Sequence, residues 1–81
     1  MNVTYRLEVG TGSGDAGYCL MRVGQIPFVP HAGMSLIAVD GDDYREVDAV
    51  YWSELEGLQV YLVFDEKARR RPLLKLGWVE E

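Results

Sequence analysis

The residues best equipped for chemistry are a cationic run, Lys67-Ala68-Arg69-Arg70-Arg71, one histidine (His31), one cysteine (Cys19) and a glycine-rich segment at 10–17. Guanidinium groups grip phosphate or carboxylate through paired hydrogen bonds, so Lys67 with Arg69, Arg70 and Arg71 reads as a candidate cradle for an anionic small molecule. Three adjacent arginines cannot share one face of a strand, so the cradle needs a loop. The plainer reading is a solvated turn, the usual role of an isolated charge run. Gly12-Ser13-Gly14-Asp15-Ala16-Gly17 matches the dinucleotide-binding fingerprint literally. That fingerprint works only where a helix N-terminus follows to receive a pyrophosphate within a parallel βαβ unit. Here the helix would have to run through Gly24 into Pro27, so a flexible hairpin tip is the better reading.

The remaining candidates offer less. One cysteine and one histidine cannot supply an ordinary zinc set, and no second cysteine exists for a disulfide. The acidic stretch Asp40, Asp42, Asp43, Glu46 and Asp48 fails as a calcium loop, because Gly41 stands second and Tyr44 fifth where other residue types are required. It reads instead as a solvated hairpin. His31 has no identifiable carboxylate or nucleophile beside it in sequence, and Cys19 sits in an apolar run as a small core residue. Trp52 and Trp78 each fall near a strand end. They fill a core or, at a rim, anchor a partner. The expectation is a non-enzymatic chain without cofactor or metal.

The elements that would position these residues follow from hydrophobic periodicity. Val3, Tyr5, Leu7 and Val9 alternate with Thr4, Arg6 and Glu8, which predicts a half-buried strand. Residues 18–23 resume a strand pattern, so the two runs form a hairpin. Pro27, Pro30 and Gly33 break the next segment into an irregular connection. A third strand is expected at 35–39, followed by a tight Asp40-Gly41 turn. In the fourth strand, residues 44–52, Val47 has one parity while Val50 and Trp52 have the other. All three can face inward only if an extra residue is inserted at Asp48-Ala49, as in a β-bulge. Leu58, Val60 and Leu62 alternate with Gln59, Tyr61 and Val63 in a fifth strand. Residues 65–71 read as a loop or one short helical turn. Residues 73–79 read as a last strand with Leu74, Leu76 and Trp78 on one face, because Pro72 argues against a continuous helix there.

Five or six short strands predict a mostly β fold, a small antiparallel barrel or roll occupying residues 1–81 as a single domain. Closure would remove the strand edges that so short a chain has no helices to cover. The net charge of −5 argues against general nucleic-acid binding. Its distribution is lopsided: residues 1–66 carry three basic and eleven acidic side chains, residues 67–81 five and two. That opposition, with a small core, makes a homo-oligomer an expectation. No apolar run is long enough for a membrane span or a signal peptide, and a lone thiol suits a reducing compartment, so the expected setting is cytoplasmic.

The sequence Ile26-Pro27-Phe28-Val29-Pro30, then Gly33, Tyr44, Val47, Val50 and Trp52, ending on Val60-Tyr61-Leu62, resembles short uncharacterised small-barrel proteins of bacteria and their phages or mobile elements. The resemblance covers roughly residues 26–64 and is structural. It implies a barrel and almost nothing about activity; a phage-like association would make interference with a host factor the natural hypothesis. The sequence therefore points to a protein-interaction module, with an anionic, nucleotide-like ligand as the alternative. Lys67, Arg69, Arg70, Arg71, Trp52 and Trp78 are its candidate contact residues.

Overall fold

The computed structural model describes residues 1–10, 17–37, 44–68 and 70–81. Six strands and one helix lie within them: β1 (Asn2–Val9), β2 (Tyr18–Gln25), β3 (Ser35–Ile37), β4 (Tyr44–Ser53), β5 (Gly57–Leu62), α1 (Arg70–Lys75) and β6 (Val79–Glu80). They form one sheet in the order β3-β4-β5-β1-β2-β6. The predicted hairpin is present, with Asn2 opposite Gln25 and Val9 opposite Tyr18. The turn expected at Asp40-Gly41 and the tip at 11–16 lie outside the described residues.

The mostly β expectation holds, but the sheet is mixed and open. Successive antiparallel pairing of β3, β4 and β5 leaves β5 running in the same direction as β1, so these two central strands pair in parallel, Val3 with Leu58 and Tyr5 with Val60. α1 then carries the chain to the far side of the hairpin, where β6 pairs with β2 and not with a first strand. A closed antiparallel barrel does not form. The edge problem that favoured closure is met differently, by edge strands of three and two residues.

The inserted residue in β4 is present. Val47 faces Leu62 and Ala49 faces Tyr61, leaving Asp48 without a partner across the ladder. Val47 is buried and Val50 packs on the core, as the parity argument required. Trp52 continues that parity but lies past the core and is 68% exposed.

One face of the sheet carries the core. Val3, Tyr5, Leu7 and Val9 of β1 meet Leu20, Leu58, Val60, Leu62 and Val47, and Ile26, Leu73 and Trp78 close over them. The last strand predicted at 73–79 is instead α1 followed by a two-residue strand. Pro72 is compatible with helix because it is the third residue, where its missing N–H has no intrahelical acceptor to lose. Gly77 ends the helix at φ +99°, with Trp78 N–H donating to Leu73 C=O and Gly77 N–H to Leu74 C=O. This is the Schellman arrangement, which pairs the third-last helical residue with the residue after the glycine. Leu73 and Trp78 hold those positions and are both buried, while Leu74 and Leu76 are exposed. Among the described residues no helix is long and apolar enough to cross a membrane.

Asp65 fixes the exit from β5. Its backbone N–H donates to Glu8 C=O and its C=O accepts from Gly10 N–H, so it docks on the end of β1. Its side chain accepts from Lys67 and Ala68 N–H at 2.9 and 3.2 Å and pairs with Arg45 of β4. The Arg45 hydrogen bond holds the carboxyl below the usual aspartate range, assisted by the two N–H groups and opposed by partial burial.

Candidate functional site

Strand alternation that buries Leu58, Val60 and Leu62 puts Gln59 and Tyr61 on the other side of the sheet. The parallel register sets Thr4 beside Gln59 and Arg6 beside Tyr61. The bulge then matters, because the residues after Asp48 are shifted by one: Ala49 falls opposite Tyr61 and Tyr51 opposite Gln59. Bulges commonly redirect side chains next to functional surfaces. The result is an open face carrying Tyr51, Tyr61, Gln59 and Arg6 at its centre.

These residues contact one another. The Tyr51 and Tyr61 rings stand edge to face, centroids 5.4 Å apart at 86°. The Arg6 guanidinium carbon lies 5.7 Å from the Tyr61 centroid. Arg6 Nε donates to Gln59 Oε1 at 3.2 Å, and Gln59 Nε2 donates to Glu56 C=O at 2.9 Å. Gln59 is only 5% exposed and has both ends of its amide satisfied, so it acts as a rigid support below the aromatic pair. Glu56 N–H is held by Ser53 Oγ at 2.9 Å, which fixes the β4–β5 turn.

A cleft of about 430 Å³ opens among Tyr51, Trp52, Tyr61, Gln59, Asp48 and Glu56. A neighbouring one of about 320 Å³ shares Asp48 and Tyr61 and continues toward Arg6, Cys19 and Phe64. Trp52 also lines a third, more apolar hollow of about 510 Å³ with Met1, Val29 and Val50.

Beyond Tyr61 the face ends in a small polar network. Arg6 pairs with Glu81, and Cys19 Sγ donates to the same carboxylate at 2.9 Å. Burial pushes the Cys19 thiol up to about 11, with the Glu81 hydrogen bond and the Glu81 and Glu8 charges adding to it and Arg6 opposing. A thiol so raised is protonated at neutral pH and is a poor nucleophile. The Cys19 hydrogen bond and Arg6 in turn lower the Glu81 carboxyl, against its own desolvation.

The residues singled out from sequence are dispersed. Trp52 lines the cleft. Trp78 is 1% exposed and belongs to the core, because the glycine stop after α1 turns it inward; it is not a surface anchor. Arg70 pairs with Glu80 and stacks over Tyr18 at 4.1 Å, so it fastens α1 to the β2–β6 edge. Arg71 is exposed on α1, Lys67 lies in the preceding turn, and Arg69 lies outside the described residues. His31 is exposed, its Nδ1 3.0 Å from Ala32 C=O. Among the described residues no group of three His, Cys, Asp or Glu side chains is placed to hold a metal ion.

Comparison with protein-family models, with curated proteins and with solved structures gave no match. The site therefore has to be read from its own geometry. Arg6, Gln59, Tyr51 and Tyr61 were not singled out from sequence, although each sits at a polar-parity position of its strand. Only the placement of β5 beside β1, together with the one-residue shift at Asp48, brings them together.

Proposed function

We propose that this chain is a non-catalytic interaction module that receives a partner protein on the open face of its sheet. The observation that carries the reading is the pairing of Tyr51 and Tyr61 in one cleft of the open face, with the 68%-exposed Trp52, of core-face parity, at its rim. Tyrosine and tryptophan with arginine dominate binding energy at protein interfaces, since they bury large area at low entropic cost while keeping a polar handle. Gln59 and the capped turn at Glu56 pre-organise the surface, which lowers the cost of ordering on binding.

A phage or mobile-element setting would make a host factor the partner, and a second copy of the chain is the other protein that would satisfy the reading. The unpaired thiol of Cys19 supports a cytoplasmic setting. The anion-binding alternative gains less support, because Arg70 is already engaged by Glu80 and Tyr18.

Co-purification of the tagged chain with its partner tests the proposal. Trp52→Ala with Tyr61→Ala should abolish recovery while circular dichroism stays unchanged. Arg70→Ala with Arg71→Ala should leave recovery intact. Loss with the arginine pair and retention with the aromatic pair would reverse the assignment.

A further inference from the structure

We propose that the cleft between Tyr51, Trp52 and Tyr61 is a recognition site for a cationic side chain, the ammonium of lysine or the guanidinium of arginine, on a basic segment of the partner. This rests on the reading of the open face as the partner-binding surface and adds the chemistry of what enters it.

Two features argue for the sign of the occupant, and a third shows that the surface tolerates a cation. The first is the aromatic wall. Two rings at 86° and 5.4 Å form a corner, and Trp52, which follows the core-face parity, borders the hollow only at its rim. Aromatic faces attract cations within about 6 Å of the ring centre. The second is charge. Among the described residues, Asp48 and Glu56 are the carboxylic acids lining the cleft, and no lysine, arginine or histidine lines it. Asp48 reaches this position because the bulge leaves it unopposed in the ladder. Glu56 is placed by a turn whose N–H and C=O are both hydrogen-bonded. The third is an occupied example alongside. Arg6 already presents its guanidinium to Tyr61 and hydrogen-bonds Gln59, so this environment accommodates a planar cation. The charge of Arg6 is matched by Glu81, which weakens its repulsion of a second cation.

The wrong occupants are disfavoured by the same groups. An anionic side chain would face two carboxylates, and a neutral apolar one would strip them of water without compensation. The body of the chain reinforces the selection at longer range, since residues 1–66 hold eleven acids against three bases. Electrostatic complementarity of this kind raises the encounter rate with a basic partner and weakens with salt.

The test is a titration of the isotopically labelled full chain with three capped hexapeptides, alternating glycine with lysine, with arginine or with glutamate. Trp52 and Trp78 give separate indole N–H signals, and the buried Trp78 serves as an internal reference. The lysine and arginine peptides should move the Trp52 indole and the Gln59 side-chain amide while Trp78 stays in place. Raised sodium chloride should weaken the effect, and tetramethylammonium should compete. Asp48→Asn with Glu56→Gln should weaken the basic peptides by about 3- to 10-fold, the range of two exposed ion pairs. Trp52→Leu should weaken them by about 2- to 5-fold, the range of one exposed cation–π contact.

Equal shifts with the glutamate peptide, or undiminished binding of basic peptides by the double carboxylate variant, would overturn the proposal. If no basic peptide binds although the Trp52 and Tyr61 variants lose the partner, the cation assignment fails and the interaction face stands. If those variants keep the partner, the interaction face itself fails.

Discussion

Asp65 gives the sharpest structural test, because one carboxylate does two separable jobs. Its Oδ1 accepts from the N–H groups of Lys67 and Ala68, while its Oδ2 pairs with Arg45, whose side chain is 13% exposed against 33% for Asp65. Asp65→Asn keeps the amide-accepting oxygen and removes the charge; Asp65→Ala removes both. A partly buried ion pair of this kind contributes about 1 kcal/mol, at the upper end of the exposed range. Loss of the cap-like acceptor adds about 1 kcal/mol. For a domain of this size each kcal/mol moves Tm by roughly 4–8 °C, so at pH 7 the asparagine variant should melt about 4–8 °C lower and the alanine variant about twice that. The folded carboxyl titrates below its ordinary value, chiefly through the Arg45 hydrogen bond. Its stabilisation is therefore complete above the unfolded pKa of about 3.9 and is lost as pH falls through the lower folded value. The gap between wild type and Asp65→Asn should stay constant from pH 7 to 5 and narrow progressively as pH falls below about 4. Thermal melts across that range supply the measurement. Equal melting of the two variants at pH 7, or a gap that persists undiminished at pH 2.5, would refute the reasoning.

Three further outcomes are expected. Gly10→Ala would place a methyl 2.2 Å from Glu66 C=O, so backbone must move, and chemical denaturation should show a loss of about 1–3 kcal/mol. Gly77→Ala forces a side chain into φ +99° at the stop after α1; it should cost about 1–2 kcal/mol in the same assay, even though nothing crowds the new methyl. Cys19, raised from 9.0 to about 11, should alkylate at pH 8 about 10- to 100-fold more slowly than an unperturbed thiol, because the smaller thiolate fraction outweighs the higher nucleophilicity of a more basic thiolate. Glu81→Gln should accelerate that reaction several-fold by removing the charge beside the thiol, and an unchanged rate would count against the Cys19–Glu81 contact.

The parts of the fold legible from sequence are those that depend on neighbours along the chain. Alternation located β1, β2, β4 and β5, and the parity conflict between Val47 and Val50 required the insertion that the structure shows at Asp48. Alternation says nothing about which strand lies beside which, so the parallel β1–β5 pair was not legible and the open, mixed sheet was expected as an antiparallel barrel or roll. The C-terminal segment misled for a different reason. Leu74, Leu76 and Trp78 mimic a strand face, while the informative pair is Leu73 and Trp78, brought together by Gly77. The same stop separates two tryptophans that look equivalent in sequence, burying Trp78 and leaving Trp52 exposed. The candidate site was least legible, since Arg6 meets Gln59 and Tyr61 across more than fifty residues of chain.

Where a partner is captured decides whether the open face receives it. A photo-crosslinking benzoylphenylalanine in place of Tyr51 reports on the cleft, and the same residue in place of Leu74 on α1 reports on the opposite side. A discrete protein adduct is expected from position 51, lost when Trp52→Ala is added, and none from position 74. An adduct from position 74 with none from position 51 would rule out the open face as the partner's seat.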